Sequence, residues 1–573
     1  MVFRVWAPDA IRVEVAVGDQ RLPMTAEAGG WWASEAPGVG PGTDYAFVLD
    51  GGPPLPDPRS PWQPHGVHGP SRLVDHAAFP WTDAGWQAPP LAAGVVYELH
   101  VGTFTPAGTF EAAIERLDAL VELGITHVEL MPVNQFAGRH GWGYDGVDLF
   151  APHHAYGGPE GLKRLVAACH ARGLAVLLDV VYNHLGPAGN YLGRFGPYFT
   201  TRYATPWGQA VNLDGPGSDE VRGFFCDNAL TWLRDYHADG LRLDAVHAIV
   251  DTSAVHLLEQ LAVEMDVLEA RLGRHLVLIA ESDLNDPRIV RRPEVGGHGL
   301  DAQWSDDFHH ALHTVLTGER GGYYADFGSL TDLATALESV FVYAGRPSRF
   351  RGRRHGRPAT GLPRWRFLGY LQNHDQIGNR ARGERSSHLL STGLSRVAAA
   401  LVLTSPFVPM LFQGEEWGAS SPFLYFTDHE DPALARAVSE GRRHEFAAFG
   451  WKPEDVPDPQ APGTYERSKL DWDERAREPH RGLLEWHRRL IRFRRERLLG
   501  EDGVRVGFDE ADRWLAVERG AVTVVANLAD RAQRVPVAAG RPRELLLASA
   551  PYIKVGAAGV DLPPESAVIL GPA

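Results

Sequence analysis

The chain has 573 residues, 44% of them hydrophobic, so it is too long for one ordinary domain and can bury large cores. Its 56 basic and 72 acidic residues leave a net charge of −16, which argues against a protein that binds nucleic acid or an anionic membrane surface. Its two cysteines, Cys169 and Cys226, are too few for a disulfide framework or a cysteine-based zinc site, and we expect reduced thiols in a cytoplasmic protein.

The first 90 residues consist mainly of strand-like segments separated by turns. Three of them alternate or are β-rich, namely FRVWAP, IRVEVAVG and DYAFVLDG, and a Pro/Gly-rich connector follows. The opening residues show no basic stretch before an apolar core, so no secretory signal is predicted. No apolar run reaches the about 18–20 residues of a membrane span. We interpret residues 1–90 as an N-terminal β-sandwich domain.

Residues 91–490 alternate between strand-like and helix-like segments. Near-continuous apolar runs such as AVLLDVVYNH indicate strands covered on both faces, whereas GLKRLVAACHARG has helical spacing. Eight such strand–helix units predict an α/β fold, the (β/α)8 TIM barrel. The eight predicted strands are 95–104, 127–133, 175–184, 240–246, 276–282, 300–306, 367–375 and 408–417.

Other segments are interpreted around this barrel. A Gly/Pro/aromatic-rich insert is predicted at about residues 185–225, after the third strand, on the face that carries the chemistry in such barrels. The basic run at 346–358 is interpreted as a solvated loop, and the basic amphipathic segment 482–500 as a docking or surface helix. Residues 491–573 are again strand-like and predict a C-terminal β-sandwich domain.

Polar residues cluster where four of the predicted strands end. Because reactive side chains of a TIM barrel lie at the carboxyl ends of its strands, these residues are expected to share one rim. Arg242 and Asp244 lie two positions apart on one strand, so both should point to the same side, although burying charge is costly. The residues at the other strand ends are Asp179, Asn183, His184, Glu281, Asp283, His374 and Asp375.

Three of these carboxylates, Asp244, Glu281 and Asp375, would converge on one small volume. Like charges at close range cannot all ionise freely, so the pKa of at least one should rise, as acid catalysis at a glycosidic oxygen requires. Arg242 beside Asp244 would keep that carboxylate ionised, as a nucleophile needs. A buried ion-pair network that closes the rim is the alternative, above all for Arg242 and Asp179.

Four short motifs in this order resemble the signature regions of the α-amylase superfamily of glycoside hydrolases: DVVYNH, GLRLDAVHAI, IAESD and QNHDQIGN. The stretch WGYDGVDLFAPHHAYGGPEGLKRLV is similar to the segment after the second barrel strand in glycogen-branching and trehalose-releasing members. The resemblance covers about residues 93–490. It implies retaining double displacement, in which a covalent glycosyl-enzyme forms and is then hydrolysed.

The resemblance also implies a role for each matching residue. Asp244 matches the nucleophile, Glu281 the general acid and base, and Asp375 the carboxylate that grips sugar hydroxyls and stabilises the transition state. Asn183 matches a calcium ligand of other amylases, but the insert shows no clear partner ligands, so no metal and no cofactor are expected. The expected substrate-binding residues are Arg242, His374, His184, Tyr144, Asp179, His247, Trp207, Asp283 and Gln376.

Three further stretches resemble superfamily members that cut the α-1,4 bond next to the terminal trehalose of malto-oligosyltrehalose: residues 198–222, AESDLNDPR and DAQWSDDFHHALH. Trp207, His247, Asp283 and Gln376 would then line the sites beyond the cut. This reading implies malto-oligosyltrehalose synthase as a metabolic partner and leaves the oligomeric state open. A 1,4-α-glucan branching enzyme and a non-catalytic glucan-binding protein remain as alternatives.

Overall fold

The structure is a computed structural model that describes residues 1–447, 452–500, 503–537 and 543–572. Residues 501–502, 538–542 and 573 of the predicted C-terminal domain lie outside the described residues. The N-terminal strands form a three-stranded and a five-stranded sheet that contribute Phe3, Val15 and Phe47 to the main core. These strands are Val2–Trp6, Val13–Val17, Gln20–Pro23, Thr25–Ala26, Trp31–Glu35, Asp44–Leu49, Pro54–Leu55 and Ser71–Arg72.

The eight predicted barrel strands are all confirmed, and they close into one parallel barrel. The last strand pairs with the first, and each strand pairs with the next one along the chain. Apolar side chains inside the barrel, such as those of Leu177 and Ile279, form their own cluster, whereas Leu241 and Leu243 pack outward into the main core. The strands are β1 (Val96–Leu99), β2 (His127–Leu130), β3 (Ala175–Val180), β4 (Gly240–Leu243), β5 (Val277–Ala280), β6 (Ala302–Trp304), β7 (Phe367–Gly369) and β8 (Val408–Phe412).

Helices surround the barrel, with one departure from the predicted strand–helix alternation. Between β5 and β6 every residue is described, and that segment holds only the 3-10 helix Pro293–Val295. Its Pro and Gly residues oppose a longer helix. The longer helices are Gly158–His170, Ser218–Asp235, Leu257–Leu272, Asp306–Thr317, Leu330–Ser339, Thr392–Leu403, Pro432–Ala447 and His480–Arg497. The shorter ones are Val101–Phe104, Phe110–Ile114, Leu117–Leu123, Leu192–Phe195, His374–Gly378, Ser386–Leu389 and Pro462–Arg467.

The insert after β3 is shorter than predicted. It contains the helix Leu192–Phe195 and an antiparallel pair, Phe199–Thr205 with Gly208–Val211, whereas the barrel helix Ser218–Asp235 begins inside the predicted 185–225 range. Gly217 in the left-handed region precedes this helix, and acidic residues in its first turn favour its start through the helix dipole. Two further pairs lie on the same side of the barrel, Asn134–Phe136 with Gly146–Pro152 and Pro347–Ser348 with Arg353–Arg354.

The predicted basic helix docks rather than lying free in solvent. Within His480–Arg497, the guanidinium of the buried Arg494 donates to the carbonyls of Leu403, Ser405 and Phe407. Beyond it a five-stranded and a three-stranded sheet follow; the exact domain boundaries stay a prediction. The strands are Val504–Asp509, Trp514–Arg519, Val522–Asn527, Gln533–Pro536, Arg543–Ala548, Lys554–Gly556, Gly559–Leu562 and Ser566–Pro572. Among the described residues, no helix is long and apolar enough to cross a membrane.

Candidate active site

Arg242 stands at the centre of a charged pocket at the carboxyl ends of β3, β4 and β5. Its side chain is 0% exposed, and its Nη1 lies 2.6 Å from Asp179 Oδ2 and 3.1 Å from Asp244 Oδ1. Its Nη2 lies 2.8 Å from Glu281 Oε2. The guanidinium carbon stacks 4.1 Å from the centre of the Trp304 ring. Burial alone would lower the pKa of Arg242, but Asp179 and Glu281 raise it well above its usual range.

The Asp244 carboxylate is held by donors on both of its oxygens. Arg242 contacts Oδ1, while the Asn183 amide donates to Oδ2 over 2.7 Å and to the Asp244 carbonyl over 2.9 Å. Hydrogen bonds and an adjacent cation favour the charged form of a carboxyl group. The side chain keeps 11% of its surface exposed, so this carboxyl group faces the pocket.

The backbone that directly follows Asp244 binds the side chain of Glu281 through the strained residue Ala245. Ala245 directly follows Asp244 and has φ of 39°, in the left-handed region that an L-residue rarely adopts. Its N–H donates to Glu281 Oε2 over 2.8 Å, and the Glu281 side chain keeps 17% of its surface exposed. Asp244 and Glu281 thus bind two nitrogens of one guanidinium. Such proximity suits retaining glycosidases, whose two carboxyl groups lie about 5–5.5 Å apart.

Asp179, which shares Arg242 Nη1 with Asp244, has a raised pKa. Burial raises the pKa of Asp179 to about 7, against the opposing charge of Arg242. Its Oδ2 accepts from Arg242 and, over 2.6 Å, from the Tyr144 hydroxyl, while its Oδ1 has no hydrogen-bond partner among the described residues. Burial also raises the pKa of Asp306, which accepts from the Tyr370 hydroxyl, to about 8. The rise expected among Asp244, Glu281 and Asp375 stays a prediction.

His374 and Asp375 close the pocket at the end of β7, as the first residues of the helix His374–Gly378. The His374 Nδ1 lies 2.5 Å from Glu98 Oε1, and its Nε2 lies 2.8 Å from the Tyr144 hydroxyl and 3.5 Å from Asp375 Oδ1. The Asp375 side chain is 39% exposed, the most open of the three proposed catalytic carboxylates. Sequence reasoning brought Tyr144 and His374 to the pocket but missed Glu98.

His184 and Trp207 form one wall of the pocket mouth. The His184 ring stacks on Trp207 with centroids 4.4 Å apart and 6° between planes. Its Nδ1 lies 2.5 Å from Asn183 Oδ1 and its Nε2 lies 3.1 Å from the Tyr144 carbonyl oxygen, so both ring nitrogens have protein partners. Trp207 is 48% exposed on the insert hairpin, which leaves its outer face open to a ligand.

The remaining predicted residues separate into two groups. His247 Nε2 lies 3.8 Å from Asp283 Oδ1, so these two come together on the rim beyond Glu281. Arg351 from the basic run 346–358 lies 2.9 Å from Asp283 Oδ2 and, with His247, lowers the pKa of Asp283 against the effect of burial. The solvated-loop interpretation of this run is incomplete, because Arg351 brings it into contact with Asp283 on the rim. Gln376 instead caps its own helix, where its Oε1 accepts from the Asn373 N–H over 2.8 Å.

The structure gives no support to a calcium site at Asn183. Its amide nitrogen donates to Asp244 and its oxygen lies beside His184 Nδ1, so both amide groups are engaged by the protein. Across the described ranges, no group of three or more His, Cys, Asp and Glu side chains could hold a metal ion. Calcium prefers six to eight oxygen ligands, and the side-chain oxygen of Asn183 already lies 2.5 Å from His184 Nδ1.

Comparison with known families identifies two matching regions. A model of the alpha amylase catalytic domain matches residues 81–195, and a model described as a domain of unknown function (DUF3459) matches residues 499–569. Among solved structures, an alpha amylase from Salmonella typhimurium is 39% identical, with a TM-score of 0.91 over 100% of this chain and 97% of that one. A pullulanase from Paenibacillus barengoltzii has a TM-score of 0.72 over 100% and 94% at 20% identity, which shows the fold alone.

Curated relatives match nearly the whole chain. The malto-oligosyltrehalose trehalohydrolase of Arthrobacter ramosus is 52% identical over 573 residues, covering 99% of both chains. The enzyme of the same name from Saccharolobus solfataricus is 44% identical over 90% of this chain and 89% of its own. A 1,4-alpha-glucan branching enzyme from Corynebacterium jeikeium is more distant, at 27% identity over 73% of this chain and 61% of its own.

Proposed function

The chain belongs to the malto-oligosyltrehalose trehalohydrolase family of α-amylase-type glycoside hydrolases, and from that premise we propose that it releases trehalose from malto-oligosyltrehalose by cutting the adjacent α-1,4-glucosidic bond. Asp244 is the nucleophile, Glu281 the general acid and base, and Asp375 the carboxylate that binds sugar hydroxyls. The observation that carries this assignment is the shared guanidinium of Arg242, which holds Asp244 and Glu281 side by side.

In the first step a carboxylate oxygen of Asp244 bonds to the anomeric carbon while the bond to the trehalose oxygen breaks. Glu281 gives its proton to that leaving oxygen. Because Glu281 Oε2 already faces the Ala245 N–H and Arg242, the proton belongs on Oε1, the other oxygen of the carboxyl group. Arg242 and Asn183 hold the two Asp244 carboxyl oxygens in place for the attack.

In the second step the ionised Glu281 takes a proton from water. The water oxygen bonds to the anomeric carbon, the bond to Asp244 breaks, and the malto-oligosaccharide leaves with its α configuration retained. Asp375, exposed in the pocket, accepts hydrogen bonds from sugar hydroxyls, and Tyr144 beside His374 offers an aromatic face to the sugar at the cleavage site.

The substrate assignment is tested by comparing two matched substrates. We expect rapid release of trehalose from malto-oligosyltrehalose and much slower cleavage of maltoheptaose, with Glu281→Gln as the inactive control. Equal rates on both substrates would contradict the assignment. Formation of α-1,6 branches from amylose, without much reducing sugar, would instead favour glucan transfer over hydrolysis.

We also propose a cytoplasmic enzyme of trehalose biosynthesis that consumes the product of a malto-oligosyltrehalose synthase. Two observations support this placement. Cys169 and Cys226 are both buried free thiols, as expected in a reducing compartment. The relatives act, by their names, on malto-oligosyltrehalose, a substrate that a preceding synthase reaction must supply.

A further inference from the structure

Glu98 is a buried carboxylate that meets the pocket through His374. It lies on β1, and its Oε1 is 2.5 Å from His374 Nδ1, while its Oε2 accepts the His374 backbone N–H over 3.2 Å. The side chains of Glu98 and His374 are each 1% exposed. Both oxygens of this carboxylate therefore fix one residue at the edge of the site.

The hydrogen bonds beyond His374 determine where the ring protons lie. The Tyr144 hydroxyl has one proton and three neighbours: Asp179 Oδ2 at 2.6 Å, His374 Nε2 at 2.8 Å, and Arg242 Nη1, which donates to the hydroxyl oxygen over 3.4 Å. The hydroxyl donates to Asp179 Oδ2, its closer neighbour, so His374 Nε2 acts as a donor to the Tyr144 oxygen. His374 Nδ1 faces the Glu98 carboxylate and also donates. A histidine ring that donates from both nitrogens is an imidazolium.

The charges around the ring agree with this protonation state. Burial alone would lower the pKa of His374, but Glu98 and Asp375 raise it to about 9. Glu98 lies closer, at 2.5 Å against 3.5 Å for Asp375. The titratable and charged groups that face His374 from the surrounding elements are Glu98, His100, Glu129, Tyr144, Arg242 and Asp375.

We propose that Glu98 is a positioning residue for glycosidic cleavage, which holds His374 as an imidazolium with its Nε2–H directed to Tyr144 and Asp375. This inference rests on the proposed function of the pocket and deepens it. The cation lies 3.5 Å from the Asp375 carboxyl group, which is proposed to accept hydrogen bonds from sugar hydroxyls. It also directs the Tyr144 proton towards Asp179, so the aromatic ring stays in place under the sugar.

The chain offers a matched control in Glu129 on β2. Glu129 stands directly opposite Glu98 in the strand register and is equally buried. Burial raises the pKa of Glu129 well above its usual range, and neither of its carboxyl oxygens has a hydrogen-bond partner among the described residues. Glu129→Gln thus exchanges one neutral group for another, whereas Glu98→Gln removes a charge at nearly constant size.

The deciding experiment follows the His374 ring by NMR in protein labelled at histidine Cε1, with the signal assigned by its loss in His374→Gln. We expect a titration midpoint near 9 in the wild type and in Glu129→Gln, and a midpoint at or below 6.5 in Glu98→Gln. A wild-type midpoint at or below 6.5 would overturn the inference even if Glu98→Gln fails to fold.

Kinetics provide the second measurement, on whichever of the two substrates the wild type cleaves faster. The ratio of kcat/KM in Glu98→Gln to kcat/KM in the wild type should fall at least about tenfold between pH 5 and pH 8, because only the variant loses the His374 proton over this range. Deprotonation of Glu281 lowers kcat/KM in both proteins and cancels in this ratio. The Glu129→Gln profile should coincide with the wild type. Coincidence of the Glu98→Gln profile with the wild type would contradict the inference. Failure of trehalose release is a separate outcome, since the ring titration does not depend on the substrate.

Discussion

Two buried charge clusters lie at opposite ends of the barrel. The rim cluster, formed by Arg242, Asp179, Asp244 and Glu281, is at the carboxyl ends of the strands. The base cluster, formed by His170, Asp83, Asp239 and Arg274, lies where β3 and β4 begin. There His170 Nδ1 is 2.8 Å from Asp83, and its Nε2 is 3.0 Å from Asp239. Both clusters bury an aspartate beside a cation, yet they differ in what their carboxylates face.

The base cluster satisfies its central carboxylate completely. Both Asp239 oxygens accept hydrogen bonds, from Trp86 and Arg274 on one and from His170 and the Val176 N–H on the other. Burial would raise the pKa of Asp239, but His170 lowers it below its usual range.

The rim cluster leaves its carboxylates less fully satisfied. Asp179 has a pKa raised to about 7 and an oxygen without a hydrogen-bond partner among the described residues, while Asp244 and Glu281 remain partly exposed. The contrast separates charge that holds a fold together from charge kept available for a reaction.

We expect the largest effect, on kcat, from replacing the proposed nucleophile of the rim cluster. Asp244→Asn keeps the shape of the side chain but removes the attacking charge, so kcat on malto-oligosyltrehalose should fall at least about 10⁴-fold. Thermal unfolding should change little, because Arg242 retains Asp179 and Glu281. If Asp244→Asn loses its fold along with its activity, the rim cluster is a structural ion-pair network and the catalytic role of Asp244 is contradicted.

The next effect breaks the base cluster at Asp239. Asp239→Asn leaves His170 and Arg274 beside an uncharged group, which should lower the free energy of unfolding by about 3 kcal/mol at pH 6 with kcat nearly unchanged. The folded-state pKa of Asp239 lies below its unfolded value, so the stabilisation is present above about pH 4 and is lost as the pH falls further. Chemical unfolding at pH 6 and pH 3.5 measures the difference in the free energy of unfolding between the wild type and Asp239→Asn, which should be smaller at pH 3.5. An equal difference at both pH values would contradict it.

We expect ionisation of Asp179 to affect stability in the opposite sense to ionisation of Asp239. Its folded-state pKa of about 7 lies above the unfolded value, so between about pH 4 and pH 7 the folded state binds more protons and loses stability as the pH rises. Asp179→Asn should therefore gain stability relative to the wild type over this range. A parallel pH dependence for Asp179→Asn and Asp239→Asn would mean that the two clusters do not differ.

The smallest effect concerns the exposed edge of the pocket. Trp207→Ala removes the ring that stacks on His184 and leaves the rim cluster intact, so KM should rise about three- to tenfold with little change in kcat. Michaelis kinetics on malto-oligosyltrehalose measure KM and kcat separately. An equal loss in kcat would instead give Trp207 a part in the chemical step.

The sequence predicts the barrel and the rim cluster because both leave local signals. All eight strands are found where apolar runs predicted them, and the spacing of Arg242 and Asp244 correctly predicts that the two side chains meet, although Asp244 lies just past the end of β4. Glu98 left the same signal, a charge within the apolar segment VVYELHVGTF, and could have been found by the same reasoning.

The base cluster left no such signal. Its contacts join residues 87 and 69 positions apart, and nothing in the local pattern pairs His170 with Asp83 or Asp239. The predicted end of the insert is too late because the start signal of the helix Ser218–Asp235, a glycine followed by acidic residues, lies within the Gly/Pro-rich stretch that predicts a loop. Tertiary contacts and helix caps thus account for most of what the sequence alone did not predict.

The central claim, that Asp244 forms a covalent bond to the substrate, is tested most directly by trapping that intermediate. α-Maltosyl fluoride can react with Asp244 in Glu281→Gln, because its fluoride ion leaves without needing a proton from an acid. The maltosyl adduct should then accumulate, because its hydrolysis lacks the general base Glu281. We expect intact-protein mass spectrometry to show one added maltosyl group, and peptide mapping to place it on Asp244. The absence of an adduct, or its location on another carboxylate, would contradict the account.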